Sequence, residues 1–197
     1  MKMKIVEVFP TLFYDFEFSQ DQIRPLCEEI QDKKEELKRR YYNDHHTLSN
    51  HSEPILDDYW TDYVNPITFP TYEKIVREEI LSRFLPEMKC KHLVYWTAIY
   101  GEKGYHGLHS HNLSLHDDGI INMSSILYLS DIGHTVFYNP RQGTDEIQRS
   151  IEIRSVVGKM VMFPSHILHV ANPHGKTGKE RVIMSSNWQV YNVSSPE

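Results

Sequence analysis

The sequence predicts a mainly β chain with N-terminal helices, an α+β arrangement whose strands close into a sandwich or barrel. Three observations carry this expectation. Residues 20–40 and 71–85 repeat apolar positions at helical spacing. Beyond residue 91, short β-branched and aromatic runs follow one another, separated by Gly, Pro, Asn and Asp clusters. The chain has 197 residues, 40% hydrophobic and 24% charged, which is ordinary usage for one globular unit.

Taken in order, residues 4–18 form an extended hydrophobic stretch broken at Pro10. Glu7, Asp15 and Glu17 interrupt any signal-peptide core there, so the stretch reads as strand. The first helix places Ile23, Leu26, Cys27, Ile30 and Leu37 on one face, with Glu35/Arg39 and Glu36/Arg40 as outer i,i+4 pairs. Ser19 is its cap, and Asp21 sits in its first turn. Residues 41–66 lack a period and read as loop. Tyr41, Tyr42, His45 and His46 are therefore either a substrate-covering loop or a solvated one. The second helix turns Tyr72, Ile75, Val76, Ile80 and Phe84 inward and stops before Pro86. Strand runs follow in HLVYWTAIY, INMSSILYL, HTVFYN, IQRSIEIRS, KMVMFP and RVIMSSNWQVYNV. No repeat or linker divides the chain. The expectation is one domain over 1–197, with 1–90 as N-terminal strand and helical support and 91–197 as the β core.

Composition excludes several functions. A core of this size buries about 70% of the unfolded surface, so neither disulfides nor a structural metal are required. The two cysteines, Cys27 and Cys90, form no zinc or disulfide framework. Twenty-one basic against 27 acidic residues give a net charge of −6, which argues against a nucleic-acid-backbone binder. No run approaches the roughly 18 apolar residues of a membrane span. The expectation is a cytoplasmic protein with no membrane partner. Its oligomeric state is open, a homodimer included.

The unusual number is twelve histidines. His106, His109, His111 and His116 crowd into GYHGLHSHNLSLHDDG, and His166, His169 and His174 into FPSHILHVANPH. Residues i and i+2 of a strand share a side, so His109 and His111 can converge on one ion. A third ligand from a distant strand then completes one face of an octahedron and leaves the other open, as non-haem Fe(II) oxygenases require. His45, His46, His51, His92 and His134 read as surface or structural residues.

These runs resemble 2-oxoglutarate/Fe(II) oxygenases of the prolyl 4-hydroxylase type. Tyr100, the glycine-containing turn, Tyr105 and then His109-Ser-His111 look like the strand that carries the H-x-D motif. SSILYLSD, around Tyr128, is similar to the following strand. GKMVMFPSHILHV resembles the strand bearing the distal iron histidine, here His169, and Arg181 matches the arginine twelve residues further on. The resemblance covers residues 94–190 and is closest to a bacterial and tailed-phage subgroup with an F-P-T-like opening strand (Phe9-Pro10-Thr11) and H-x-H in place of H-x-D.

The resemblance implies a double-stranded β-helix (jelly-roll, cupin-like). It further implies Fe(II) on His109, His111 and His169, with the far carboxylate of the 2-oxoglutarate co-substrate on Arg181; Tyr128 is either a second ligand of that co-substrate or a core aromatic, and Ser185 either assists Arg181 or is a plain strand serine. A planar guanidinium suits a carboxylate better than lysine does. The activity implied is hydroxylation of an unidentified substrate with O2, releasing succinate and CO2. His111 departs from the family's carboxylate. Asp118 in His116-Asp117-Asp118 forms a second literal H-x-D, so either His111 or Asp118 supplies the second ligand, or His116 and Asp118 are the pair. Two rivals stand beside this reading: a cupin-type enzyme that does not use 2-oxoglutarate, and a non-catalytic jelly-roll module. Peptidyl side chains, free amino acids and nucleobases are the candidate substrates, the acidic charge disfavouring the last.

Overall fold

The computed structural model describes residues 2–8, 11–47, 58–83, 88–111, 120–140 and 149–192. Among these, two antiparallel sheets face one another. Strands β1 (Lys2–Val8) and β2 (Thr11–Glu17) form a hairpin that leads into helix α1 (Gln20–Thr47). Strand β3 (Tyr59–Thr61), helix α2 (Pro70–Ile75) and strand β4 (Met88–Tyr100) follow. The remaining strands are β5 (His106–His109), β6 (Ile120–Tyr128), β7 (His134–Tyr138), β8 (Ser150–Arg154), β9 (Lys159–Pro164), β10 (His169–Ala171) and β11 (Arg181–Asn192). The seven-stranded sheet has the order β1-β2-β9-β6-β11-β4-β3, and the four-stranded sheet β5-β10-β7-β8. The predicted strand runs thus all appear, and the N-terminal third contributes three strands to the large sheet.

Period-two alternation gives the large sheet two different faces. On β11, Met184, Trp188 and Val190 join Ile23, Leu26, Ile30 and Leu37 of α1 and Tyr72 and Ile75 of α2 in one apolar core. Ile183, on the opposite face, packs with Ile126, Phe137, Phe163 and Ile167 between the sheets. α1 starts with the predicted cap as a reciprocal box: the Gln22 amide donates to Ser19 Oγ at 3.4 Å and the Ser19 amide to Gln22 Oε1 at 3.0 Å. Further along, Lys34 and Lys38 both pair with Glu180 and so pin α1 to the residue before β11.

Two expectations are corrected. The first helix does not stop at residue 40 but continues to Thr47, through Tyr41 and Tyr42. The reason is that Leu37 and Tyr41, four residues apart, extend the buried stripe; both are buried, and Tyr41 meets Tyr59 edge-on at 6.2 Å. The second helix is α-helical only to Ile75. It then widens into a π turn over Val76–Ile80 and tightens into a 3-10 turn over Leu81–Arg83, while Tyr72, Ile75, Val76 and Ile80 still face inward. Phe9, Pro10, Phe84 and Pro86 lie outside the described residues, as do His51 and the segment holding His116, Asp117 and Asp118.

A bulge at Leu93 re-aims β4. Asn187 of β11 pairs with Val94, but Trp188 pairs with His92, so Leu93 is the extra residue. The shift turns His92 to the helix side, where its ring lies 4.3 Å from Trp188 and 5.9 Å from Tyr72. His92 is therefore a structural residue of that core.

Candidate metal and anion site

The cleft between the sheets encloses about 340 Å³, open mouth included. Its floor comes from one face of β4 and β11: Trp96 opposite Ser185, and Tyr100 opposite Arg181, with Ile183 between. Its roof is β5 and β10, whose pairing sets His109 directly opposite His169. The turn into β5 depends on Gly104, where a Cβ would lie 2.0 Å from the Asp58 carbonyl oxygen.

His109, His111 and His169 converge here, with one ligating atom from each lying within 4.8 Å of the others. Local hydrogen bonds fix which nitrogen is free. His109 Nδ1 donates to the Gly107 carbonyl at 2.7 Å, and His169 Nδ1 to the Ile167 carbonyl at 3.0 Å. His111 Nδ1 lies 3.0 Å from both Asn187 Oδ1 and Ser124 Oγ. Ser124 in turn donates to Asn187 Oδ1 at 3.0 Å and shares a 2.9 Å bond with Ser165. With Nδ1 carrying the proton on each ring, all three Nε2 lone pairs are left to bind an ion.

Burial keeps the rings neutral, as metal ligation requires. It pushes His111 down to about 4 and lowers His109, and it takes His169 well below its ordinary value, helped by the neighbouring imidazoles. His106 also lines the cleft, stacked 3.7 Å from His109. Its value falls to about 3 through burial and then through His109 and His111. It is not one of the three converging ligands.

At the other end, Arg181 is 1% exposed. Its Nη1 donates to the His134 carbonyl at 2.9 Å and Nη2 to Thr135 Oγ1 at 2.7 Å. Its guanidinium carbon lies 5.3 Å from the Tyr100 ring centre and 5.8 Å from that of Tyr128. No carboxylate among the described residues pairs with it. A buried cation without a counter-charge is costly, so this end of the cleft favours an anion.

The other sequence-predicted residues fall as follows. Ser185 lines the cleft. Tyr128 is fully buried, and its hydroxyl donates to Thr135 Oγ1 at 2.9 Å, so it reaches Arg181's surroundings through that threonine. Reading the sequence missed the places of Thr135, Ser124, Ser165 and Asn187 in the site. Only strand register brings Asn187 beside Ser124, 63 positions away.

No family model and no curated protein matches the chain. Solved structures do. The Pseudomonas putida prolyl-4-hydroxylase is 16% identical with a TM-score of 0.51, covering 90% of this chain and 91% of that one. HygX from Streptomyces hygroscopicus, solved with nickel and 2-oxoglutarate bound, is 13% identical with a TM-score of 0.58, covering 90% and 82%. SnoN, the non-heme alpha-ketoglutarate-dependent epimerase from nogalamycin biosynthesis, is 10% identical with a TM-score of 0.59, covering 93% and 81%. The chain therefore has the jelly-roll fold of the 2-oxoglutarate/Fe(II) oxygenases.

Proposed function

We propose that the chain is a non-haem Fe(II)- and 2-oxoglutarate-dependent oxygenase that hydroxylates its substrate. The observation that carries this reading is one cleft holding three convergent neutral imidazoles and, at its far end, a buried arginine with no acidic partner among the described residues. Three neutral ligands leave a bound dication its full charge, and Arg181 adds another. Such a site favours a dianion whose two carboxylates can reach both ends, and 2-oxoglutarate has that form.

His109, His111 and His169 hold the ion, and His111 replaces the acidic ligand of the more usual motif. Asn187 and Ser124 orient His111 from behind. Arg181 receives the distal carboxylate on its remaining N–H groups, with Thr135 and Tyr128 fixing the guanidinium and Ser185 beside it. Ile126, Ala171 and Ile183 present apolar walls that exclude bulk water. Bound Fe(II) would supply the oxygen chemistry, with O2 as the oxidant: one of its atoms goes into succinate as 2-oxoglutarate loses CO2, and the other is inserted into a substrate C–H bond. A protein-bound or free amino-acid side chain is the substrate class we favour.

Anaerobic melting curves test the proposal. Fe(II) and 2-oxoglutarate together should raise the Tm more than either alone, because each ligand binds only the folded chain. On admitting air, succinate should form. No joint rise in Tm would sink the reading. Stabilisation by Fe(II) alone, with no further rise on adding 2-oxoglutarate, would instead favour a cupin-type enzyme that does without the co-substrate.

A further inference from the structure

The cleft holds a fourth histidine that the triad does not use. In a regular strand, residues three apart point to opposite faces, so parity would turn His106 away from His109. His106 lines the cleft nonetheless, because the pairing of β5 with β10 shifts: His109 faces His169 and His106 faces Ala171, three steps on β5 against two on β10. The extra residue makes a bulge, which re-aims a side chain. The two rings end up 13° from parallel with their centres 3.7 Å apart. Of the three ligand rings, His106 meets only this one. His111 and His169 meet His109 at 5.2 and 4.2 Å and each other at 5.2 Å, so His106 lies on a side of His109 that neither of them occupies. Its other ring neighbour is Tyr59 at 5.6 Å, which meets Tyr100 at 4.9 Å, and Tyr100 lies 5.3 Å from the Arg181 guanidinium. His106 therefore stands on the arginine side of the triad. Each ligand histidine has Nδ1 tied to the protein. His106, by contrast, makes no hydrogen bond among the described residues, and neither of its nitrogens is sealed from solvent. Nothing fixes its tautomer, so the neutral ring can carry its one proton on whichever nitrogen meets an acceptor.

We propose that His106 is a fourth functional histidine, one that holds no metal and instead donates a hydrogen bond to the small anion filling the open position beside His109. An imidazole is small, so the stack keeps both His106 nitrogens beside the free Nε2 of His109, and hence beside whatever an ion there binds next. A hydrogen bond to a charged acceptor is stronger than one between neutral groups, and the enclosed cleft strengthens it further. The three ligands attract an anion only through the ion they hold, whereas a donor fixed on one side also orients it. On the proposed function this anion is the metal end of 2-oxoglutarate, whose chain passes His106 on its way to Arg181. That identity rests on the functional reading; the donor role rests on the placement of His106 in the cleft.

Azide binding to the Co(II)-loaded chain, read by visible absorption, tests the donor without any co-substrate. His106→Phe keeps a flat ring against His109 and loses the donor, while His106→Gln keeps a donor and loses the stack. The azide Kd should rise about tenfold in His106→Phe, with Co(II) affinity within about twofold, and should stay within about threefold of the unaltered chain in His106→Gln. Unchanged azide binding in the Phe variant, weaker Co(II) binding there, or loss of azide in both variants overturns the proposal. A second measurement needs no variant. In the ¹⁵N-labelled chain loaded with Zn(II), azide should drive the His106 ring nitrogens to a single tautomer, and unmoved resonances overturn the proposal as well. With Fe(II) bound under argon, the Kd for 2-oxoglutarate should also rise about tenfold in His106→Phe, and an unchanged value would break the link to that co-substrate. An unaltered chain that binds Fe(II) but no 2-oxoglutarate overturns the functional reading, and the azide measurements still decide the role of His106.

Discussion

The two faces of β11 are built from alternate residues of one strand, yet they make opposite demands. Toward the helices, polar groups are mostly matched within the protein: Ser186 meets the Tyr72 hydroxyl at 2.5 Å, and Trp188 Nε1 donates to Ser125 at 2.9 Å. His92 is the exception there, its Nε2 buried and unpartnered. Toward the cleft, Asn187 serves a histidine whose ring converges with those of His109 and His169, and Arg181 carries a charge that no acid among the described residues answers. A closed set of hydrogen bonds stabilises a fold, whereas an open set binds something. Substitutions on the cleft face should therefore cost ligands more than stability, and those on the helix face the reverse.

The largest effect expected is His169→Ala. Removing one of three ligands should lower Fe(II) affinity by a factor on the order of 10³ or more, measured by metal content after anaerobic reconstitution. The fold should survive, since the ring is removed from the lining of the cleft and not from the helix-facing core. Next comes Arg181→Met, with an expected loss of about 100-fold in 2-oxoglutarate affinity and Fe(II) binding within about twofold. The same variant should melt no lower than the unaltered chain without ligands, because it removes an uncompensated buried charge. A clear drop in its Tm would show that Arg181 is a stabilising residue and would break the contrast between the faces.

Asn187→Leu probes the support behind the ligands. His111 Nδ1 would keep only Ser124, and metal affinity should fall about 10- to 100-fold, the range for groups that orient a ligand. Calorimetric titration with Fe(II) under argon would show it. Asn187→Ser, which keeps a short acceptor, should recover part of the loss.

Much of this was legible in the sequence, for identifiable reasons. His109 and His111 share a side at i,i+2, whereas His169 and Arg181 stood out only because the F-P-S run and the arginine twelve residues beyond His169 resemble the oxygenase pattern. The β half was legible because its strands are short, apolar and separated by turn residues. What escaped depends on register between distant strands. Nothing near Asn187 announces Ser124, and nothing near Arg181 announces Thr135. The Leu93 bulge is invisible for the same reason: parity alone sends His92 to the cleft, and only pairing with Trp188 shows that it faces the helices. The helix extension to Thr47 escaped because its residues are polar and aromatic, although Tyr41 keeps the spacing from Leu37.

His92 gives the smallest prediction and tests the helix face directly. Burial lowers it from an ordinary 6.5 to about 4. The unfolded chain therefore takes up this proton at a higher pH than the folded one. The neutral ring's contribution is complete above pH 6.5, is lost as the pH falls toward 4, and changes no further below that. At pH 5 the loss from this group is about 2 kcal/mol, since one pKa unit corresponds to about 1.4 kcal/mol. The cleft histidines shift in the same direction, so the group's share must be read as a difference. Urea midpoints at pH 7.5 and pH 5 should fall less in His92→Phe than in the unaltered chain, because phenylalanine keeps the contact with Trp188 and cannot be protonated. Identical slopes in the two proteins would mean that water reaches His92 through the bulge, and the helix face would then be less closed than its paired serines imply.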